Sequence, residues 1–147
     1  MRRLFLLLTL CATILPAALM ADGPSTRVSH VWIREAPPGT DVMAGYFVLE
    51  NLTSQPLSLT AVSSPQFDSV MMHESVVQGT EESMRAVAKI DLPAHGSVEL
   101  KPGGYHLMLM QPKRNLYSGD TVTLMLVFSD GSELAILAPV RRDPPLH

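Results

Sequence analysis

Cysteine is almost absent from this sequence. The one cysteine, Cys11, lies in an apolar N-terminal segment, and bulky Leu10 directly before it disfavours lipid attachment there. If that segment is removed on export, the remaining chain has no thiol. Disulfides, thiolate metal sites and thiol redox chemistry are then excluded. A blue-copper centre is excluded too, because it needs a cysteine thiolate.

A long hydrophobic run is also missing. The most apolar stretch, Leu4–Leu15, is too short to span a bilayer well, and no second one follows. Because Met1–Arg3 is basic and Pro16–Ala21 is rich in small residues, residues 1–21 are predicted to be a secretory signal peptide. The mature chain then begins near Asp22 in the periplasm, without stable membrane insertion. An uncleaved N-terminal anchor helix is the alternative.

Clusters of positive charge and activated nucleophiles are missing as well. Without Arg2 and Arg3 the chain has nine basic and 14 acidic residues, a formal charge of −5. No Lys/Arg cluster stands out, which argues against nucleic acid as a partner. No Gly-x-Ser-x-Gly or comparable motif activates a serine, so a hydrolytic enzyme is disfavoured.

Strand patterns are frequent, whereas helix patterns are scarce. Period-two alternation and β-branched or aromatic residues predict nine strands: Val28–Ile33, Gly45–Glu50, Leu57–Val62, Ser69–Val77, Ser83–Leu92, Ser97–Leu100, His106–Met110, Thr121–Phe128 and Glu133–Val140. Turn residues separate these runs. Residues 22–140 are therefore predicted to form a single all-β domain, an antiparallel sandwich or barrel, followed by a proline-containing tail over residues 141–147.

Methionine is the residue in excess. Seven methionines and five histidines lie beyond residue 21. Methionine often fills cores, and we expect this of Met43, Met72 and Met125. Isolated histidines in β proteins are usually at the surface or satisfied locally, as we expect of three of them: His30, His95 and His147. Met71 and Met110 fit either a core position or the rim of a metal site.

The remaining histidines and methionines suggest two neighbouring pairs. On a strand, side chains alternate between faces, so His106, Met108 and Met110 share a face, with about 6–7 Å between successive Cα atoms. If the chain turns back at Gln78-Gly79 without a bulge, His73 lies opposite Met84, with Cβ atoms roughly 4.5–5.5 Å apart. The sequence does not show that the two pairs meet each other.

The chemistry of such a donor set favours copper(I). Calcium and magnesium require oxygen ligands, and zinc rarely accepts a thioether. Copper(I) is soft and binds thioether sulfur together with imidazole. Thioethers also survive in an oxidising compartment, where a cysteine site would form disulfides.

The spacing of these residues resembles that of the PCu(A)C-type periplasmic copper chaperones. Ten residues separate His73 from Met84, 21 separate Met84 from His106, and one separates His106 from Met108. The flanking segments 70–74 and 100–109 match as well, and the resemblance covers residues 28–140. The run Pro-Gly-Gly-Tyr-His-Leu-Met makes the resemblance more specific than the spacing alone.

This resemblance implies a cupredoxin-like Greek-key β-sandwich that binds one Cu(I) per chain at an exposed site formed by His73, Met84, His106 and Met108. It also implies delivery of copper to the CuA site of a respiratory oxidase, the partner being the oxidase subunit or a thioredoxin-like assembly protein. We expect a monomer. Some members of the family carry a His- and Met-rich C-terminal extension; this sequence has only His147 after the last predicted strand, so we expect no second copper site.

Three classes of function remain open from the sequence. The leading one is a copper carrier without catalysis, used for delivery, storage or tolerance. The second is a copper oxidase or an electron-transfer cuproprotein. The third is a structural sandwich module in which the histidines are incidental. Titration with Cu(I) separates the first class from the third.

Overall fold

The computed structural model describes residues 24–145, which form ten strands and no helix. The predicted signal peptide (residues 1–21), Cys11 and His147 lie outside this range. The strands are β1 (Thr26–Arg34), β2 (Val42–Asn51), β3 (Leu57–Ser63), β4 (Phe67–Gln78), β5 (Glu81–Ala86), β6 (Ile90–Leu92), β7 (Ser97–Leu100), β8 (Tyr105–Pro112), β9 (Thr121–Phe128) and β10 (Glu133–Arg141). Within the described range, no helix is available to cross a membrane.

The prediction of one strand over Ser83–Leu92 is wrong. The chain forms β5, whose residues are all exposed, and then β6, in which Ile90 and Leu92 are buried. β5 pairs with β4, whereas β6 pairs with β3. The physical reason is burial. Only by leaving β4 after residue 86 can the chain bring Ile90 and Leu92 into the core.

The strands form a single hydrogen-bonded series in the order β5-β4-β8-β7-β2-β1-β10-β9-β3-β6. Neighbours are antiparallel except at β1–β10 and at the short β7–β8 pairing. A single cluster of buried side chains draws on both ends of the series, including Met72 and Leu107 from one end and Leu59 and Leu124 from the other. The sheet therefore folds back on itself as a sandwich, and the predicted all-β fold class is confirmed.

β2 places the strand that carries the candidate site. Its second half, Phe47–Glu50, pairs with β7, and its first half, Val42–Gly45, pairs with β8. Gly45 lies so close to β8 that a Cβ atom there would be 3.2 Å from Leu107 Cβ. Leu107 and Leu109 are fully buried on this inner side. The alternate residues of β8 therefore lie on the outer face of the sandwich.

Candidate metal centre

Two histidines face each other across neighbouring strands. In the β4–β8 pairing, His73 lies directly opposite His106. Their ring centroids are 5.9 Å apart, with the ring planes at 88° to each other. The next pair along these strands, Met72 and Leu107, is buried in the core. Because successive residues of a strand point to opposite faces, both imidazoles lie on the outer face. The sequence placed each histidine on a strand, but only the sheet brings them together.

His106 is held in one orientation by the turn that precedes it. Gly103 adopts a φ of +80°, a backbone conformation that glycine tolerates without strain. The turn presents the carbonyl oxygen of Gly104, which lies 3.0 Å from Nδ1 of His106. Because a carbonyl only accepts, this contact selects the tautomer with the proton on Nδ1 and the lone pair on Nε2. This second nitrogen is buried and has no hydrogen-bond partner among the described residues.

The Gly104 carbonyl also connects the turn to β4, since it accepts a hydrogen bond of 3.1 Å from the backbone N–H of Ser75. His106 is the second residue of β8, but the exposed position expected from the sequence is wrong for this residue. Its side chain is only 5% exposed. An imidazole fixed by a backbone carbonyl on one nitrogen and free on the other is the usual arrangement of a metal-binding histidine.

His73 offers a second unpartnered nitrogen. Its Nδ1 is buried and has no hydrogen-bond partner in the described part of the chain. Burial lowers the pKa of His73 below its ordinary value, and the neighbouring His106 lowers that pKa further. Both effects favour the neutral imidazole, which is the form that binds metal ions.

Met108 shares the outer face with the histidines, two residues beyond His106 on β8. It lies directly opposite Met71 of β4 and, on the other side, directly opposite Ala44 of β2. A row of two methionines therefore adjoins the row of two histidines. Met110 lies one row further, opposite Ser69.

The prediction that Met84 lies opposite His73 is wrong. Met84 is opposite Ser75, and His73 is opposite Ala86. The turn explains the shift. Gln78 was predicted to lie in the loop, but it pairs with Glu81. The two-residue loop is therefore Gly79-Thr80, with Gly79 at a φ of +66°. A shift of two residues preserves the face, so Met84 is a diagonal neighbour of His73, a separation of roughly 7–8 Å in an antiparallel pair.

Three of the four predicted ligands line an open cavity of about 320 Å³. Met84, His106 and Met108 all line it. Tyr46 and Ala44 of β2 form another part of its wall. These two residues carried no recognisable pattern in the sequence, because their relation to the site depends on which strands are neighbours.

The remaining methionines and histidines divide as follows. Met43 and Met72 are buried in the core, as predicted. The prediction of a core position for Met125 is wrong: it is only partly buried on β9, because its strand neighbours Leu124 and Leu126 occupy the inner face. His30 and His95 are exposed and do not line the cavity.

The donor set fits a soft cation. No group of three or more histidine, cysteine or acidic side chains within residues 24–145 is arranged to hold a metal ion. The two histidines and the neighbouring methionines offer instead two unpartnered imidazole nitrogens and several thioethers. This combination is unsuitable for hard cations and suits copper(I).

Comparison with known proteins identifies relatives of the whole domain. The family model described as "Putative lipoprotein LpqE-like" matches residues 26–140. The chain is 33% identical over 138 residues to "Putative lipoprotein Lxx21020" of Leifsonia xyli subsp. xyli, with 91% of this chain and 82% of that protein covered.

Two solved structures share the sandwich. The copper-bound PCuAC domain from PmoF2 matches with a TM-score of 0.70 and 26% identity, covering 82% of this chain and 95% of that one. The Cu(I) form of DR1885 from Deinococcus radiodurans matches with a TM-score of 0.68 and 31% identity, covering 86% and 84%. The PCuAC-type fold expected from the sequence is confirmed.

Proposed function

This chain belongs to the LpqE-like family and has the fold of PCuAC domains, and from that premise we propose that it is a copper(I) carrier. It binds one Cu(I) ion with His73, Met84, His106 and Met108, and it catalyses no reaction. The ion is the cargo of the protein.

The pair of buried, unpartnered imidazole nitrogens carries this proposal. A buried polar atom without a partner costs about 1–3 kcal/mol. Two such atoms, Nδ1 of His73 and Nε2 of His106, occur in side chains that face each other, with thioethers beside them. A soft cation satisfies both nitrogens at once. A purely structural sandwich module has no use for this arrangement. Two structures with the same fold, the PCuAC domain from PmoF2 and DR1885, contain copper, which also supports this cargo.

The ligands favour release as well as binding. They are all neutral, so the bound ion keeps its positive charge, and an acceptor with thiolates binds soft Cu(I) more strongly. Met84 is 61% exposed on an edge strand, where an incoming protein meets it first. Transfer to such an acceptor runs downhill without an energy source.

We assign the protein to the periplasm, where it delivers copper to a respiratory oxidase subunit or to a thioredoxin-like assembly protein. The N-terminal sequence and the lipoprotein name of its Leifsonia relative both favour export. Storage or tolerance of copper is the alternative role for the same site.

Competition for Cu(I) against a chromophoric chelator tests the binding. Met108→Leu should weaken binding far more than Met125→Leu. The second change is a matched control, because Met125 is a partly buried methionine of β9, and β9 belongs to the other end of the strand series. Equal effects of the two changes would reject the assigned site.

Deletion of the gene in its host tests the role. Under copper limitation, deletion should lower assembled oxidase activity, added copper should restore it, and the His106→Ala variant should fail to complement. Normal oxidase activity combined with higher sensitivity to excess copper would instead assign storage or tolerance.

A further inference from the structure

The methionines outside the core are not all equivalent. Of the seven methionines within residues 24–145, only Met71 and Met84 are exposed, at 41% and 61%. Exposed methionines do not fill a core, so packing does not explain them. Both lie beside His73: Met71 precedes it by two residues on β4, and Met84 lies diagonally across on β5.

The position of Met71 repeats that of Met108. Met108 is two residues from His106 on β8, and Met71 is two residues from His73 on β4. The two histidines are directly opposite each other, and so are the two methionines. Directly opposed side chains have Cβ atoms roughly 4.5–5.5 Å apart, so Met71 is an immediate neighbour of the proposed ligand Met108. Met108 lines the cavity together with Met84 and His106, whereas Met71 lies just outside it. Met110 is one row further from the histidines and lacks this relation.

The two exposed methionines differ in how firmly the fold holds them. Met71 lies on β4 directly opposite Met108 of β8, whereas β5 pairs with β4 only from His73 onward. β5 is the edge of the sheet and pairs only with β4, and all six of its residues are exposed. Edge strands with little buried surface open most readily. Met84 is therefore the ligand that leaves first, and Met71 remains beside the ion.

We propose that Met71 is an alternative thioether ligand that exchanges with Met84, so that His73, His106 and Met108 always share the ion with one further sulfur. When an acceptor displaces Met84 at the exposed edge, Met71 takes its place and keeps the ion four-coordinate during transfer. This inference rests on the proposed function and adds a ligand that the family's four-residue spacing does not contain.

Chelator competition with four variants tests the exchange: Met71→Leu, Met84→Leu, the double variant, and Met110→Leu as the matched control on the same face. Each single change at an exchanging position should weaken Cu(I) binding by only about twofold, because one sulfur remains. The loss of Cu(I) affinity in the double variant should be at least about ten times the product of the losses in the two single variants, as expected for residues that share a role. The control should bind like the unmodified protein.

Nuclear magnetic resonance of the methionine methyl groups gives a second readout on the purified protein. Ag(I), a soft ion with the same filled d shell, serves as the probe alongside Cu(I). The Met71, Met84 and Met108 methyl signals should shift on titration, and the Met110 signal should not. A Met71 signal that stays in place, or a double variant that binds like Met84→Leu alone, overturns this inference and leaves the proposed function intact. Absence of Cu(I) binding by the unmodified protein overturns both.

Discussion

Replacing His73 with leucine should make the metal-free protein more stable while it destroys the copper site. Nδ1 of His73 is buried without a partner, and its burial already lowers the pKa of the ring. Leucine has a similar size and no polar atom to desolvate. The change therefore removes a cost of the metal-free fold.

The magnitude follows from the burial of that atom. An unsatisfied buried polar atom costs about 1–3 kcal/mol, and the lower end applies because His73 as a whole is only partly buried. The free energy of unfolding should then rise by about 1 kcal/mol. For a domain of this size the midpoint of thermal unfolding should increase by about 3–5 °C.

The gain should grow as the pH falls. The unfolded chain takes up a proton at His73 near pH 6.5, the ordinary histidine value, whereas the folded protein does so only at a lower pH. Between those two values the unfolded state binds more protons, so the unmodified protein loses stability as the pH decreases below about 6.5. The leucine variant lacks this loss.

Thermal unfolding followed by circular dichroism at pH 8 and pH 5 measures both effects, with His73→Gln as the control that keeps a polar group. Copper(I) should reverse the order, because it stabilises only the protein that retains the site. A metal-free leucine variant that melts at or below the unmodified protein at both pH values would refute the reasoning.

Three further predictions concern the site as a whole. Cu(I) affinity should fall at acidic pH, because imidazoles must be neutral to bind whereas thioethers do not titrate. For His73 the fall should come below the ordinary histidine value of about 6.5, since burial lowers its pKa, and an affinity that stays constant well below that value would mean that sulfur alone holds the ion. The metal-free protein should be folded by circular dichroism, and Cu(I) at a thousand times Kd should add about 4 kcal/mol to the free energy of unfolding. Gly103→Val should lower the free energy of unfolding by about 1–3 kcal/mol, because Gly103 has a φ of +80°. The same change should weaken Cu(I) binding, because it displaces the Gly104 carbonyl that orients His106. Unchanged affinity in this variant would show that the carbonyl is dispensable.

The sequence predicted most strands well because each strand carries its own pattern. β7 and β9 begin and end at the predicted residues, and alternation along β8 correctly placed His106 and Met108 on one face. The prediction was wrong at β5 and β6, because the residue pattern over Ser83–Leu92 is that of one continuous strand. The break between them depends on a core that forms only when β6 reaches β3.

At the candidate site, too, the sequence indicated which residues matter but not how the strands are paired. From the residues alone, the sequence suggested two His/Met pairs suited to a soft ion, and the resemblance to PCu(A)C-type chaperones implied that all four act together. The sequence placed Met84 opposite His73, and the turn at Gly79-Thr80 moves the register by two residues. Turn geometry sets the register of a hairpin, and a glycine at the turn permits more than one choice.

By itself, then, the sequence determined the all-β class, the face that each donor occupies and the softness of the ion it suits, since these depend on residue type and on the two-residue period of a strand. Only the tertiary structure decided that His73 meets His106, that the Gly104 carbonyl fixes the ring of His106, and that Met71 adjoins Met108. These contacts join residues more than 30 positions apart, except for the local bond within the turn. Their geometry follows from which strands become neighbours when the sheet closes on its core, and no local pattern records that choice.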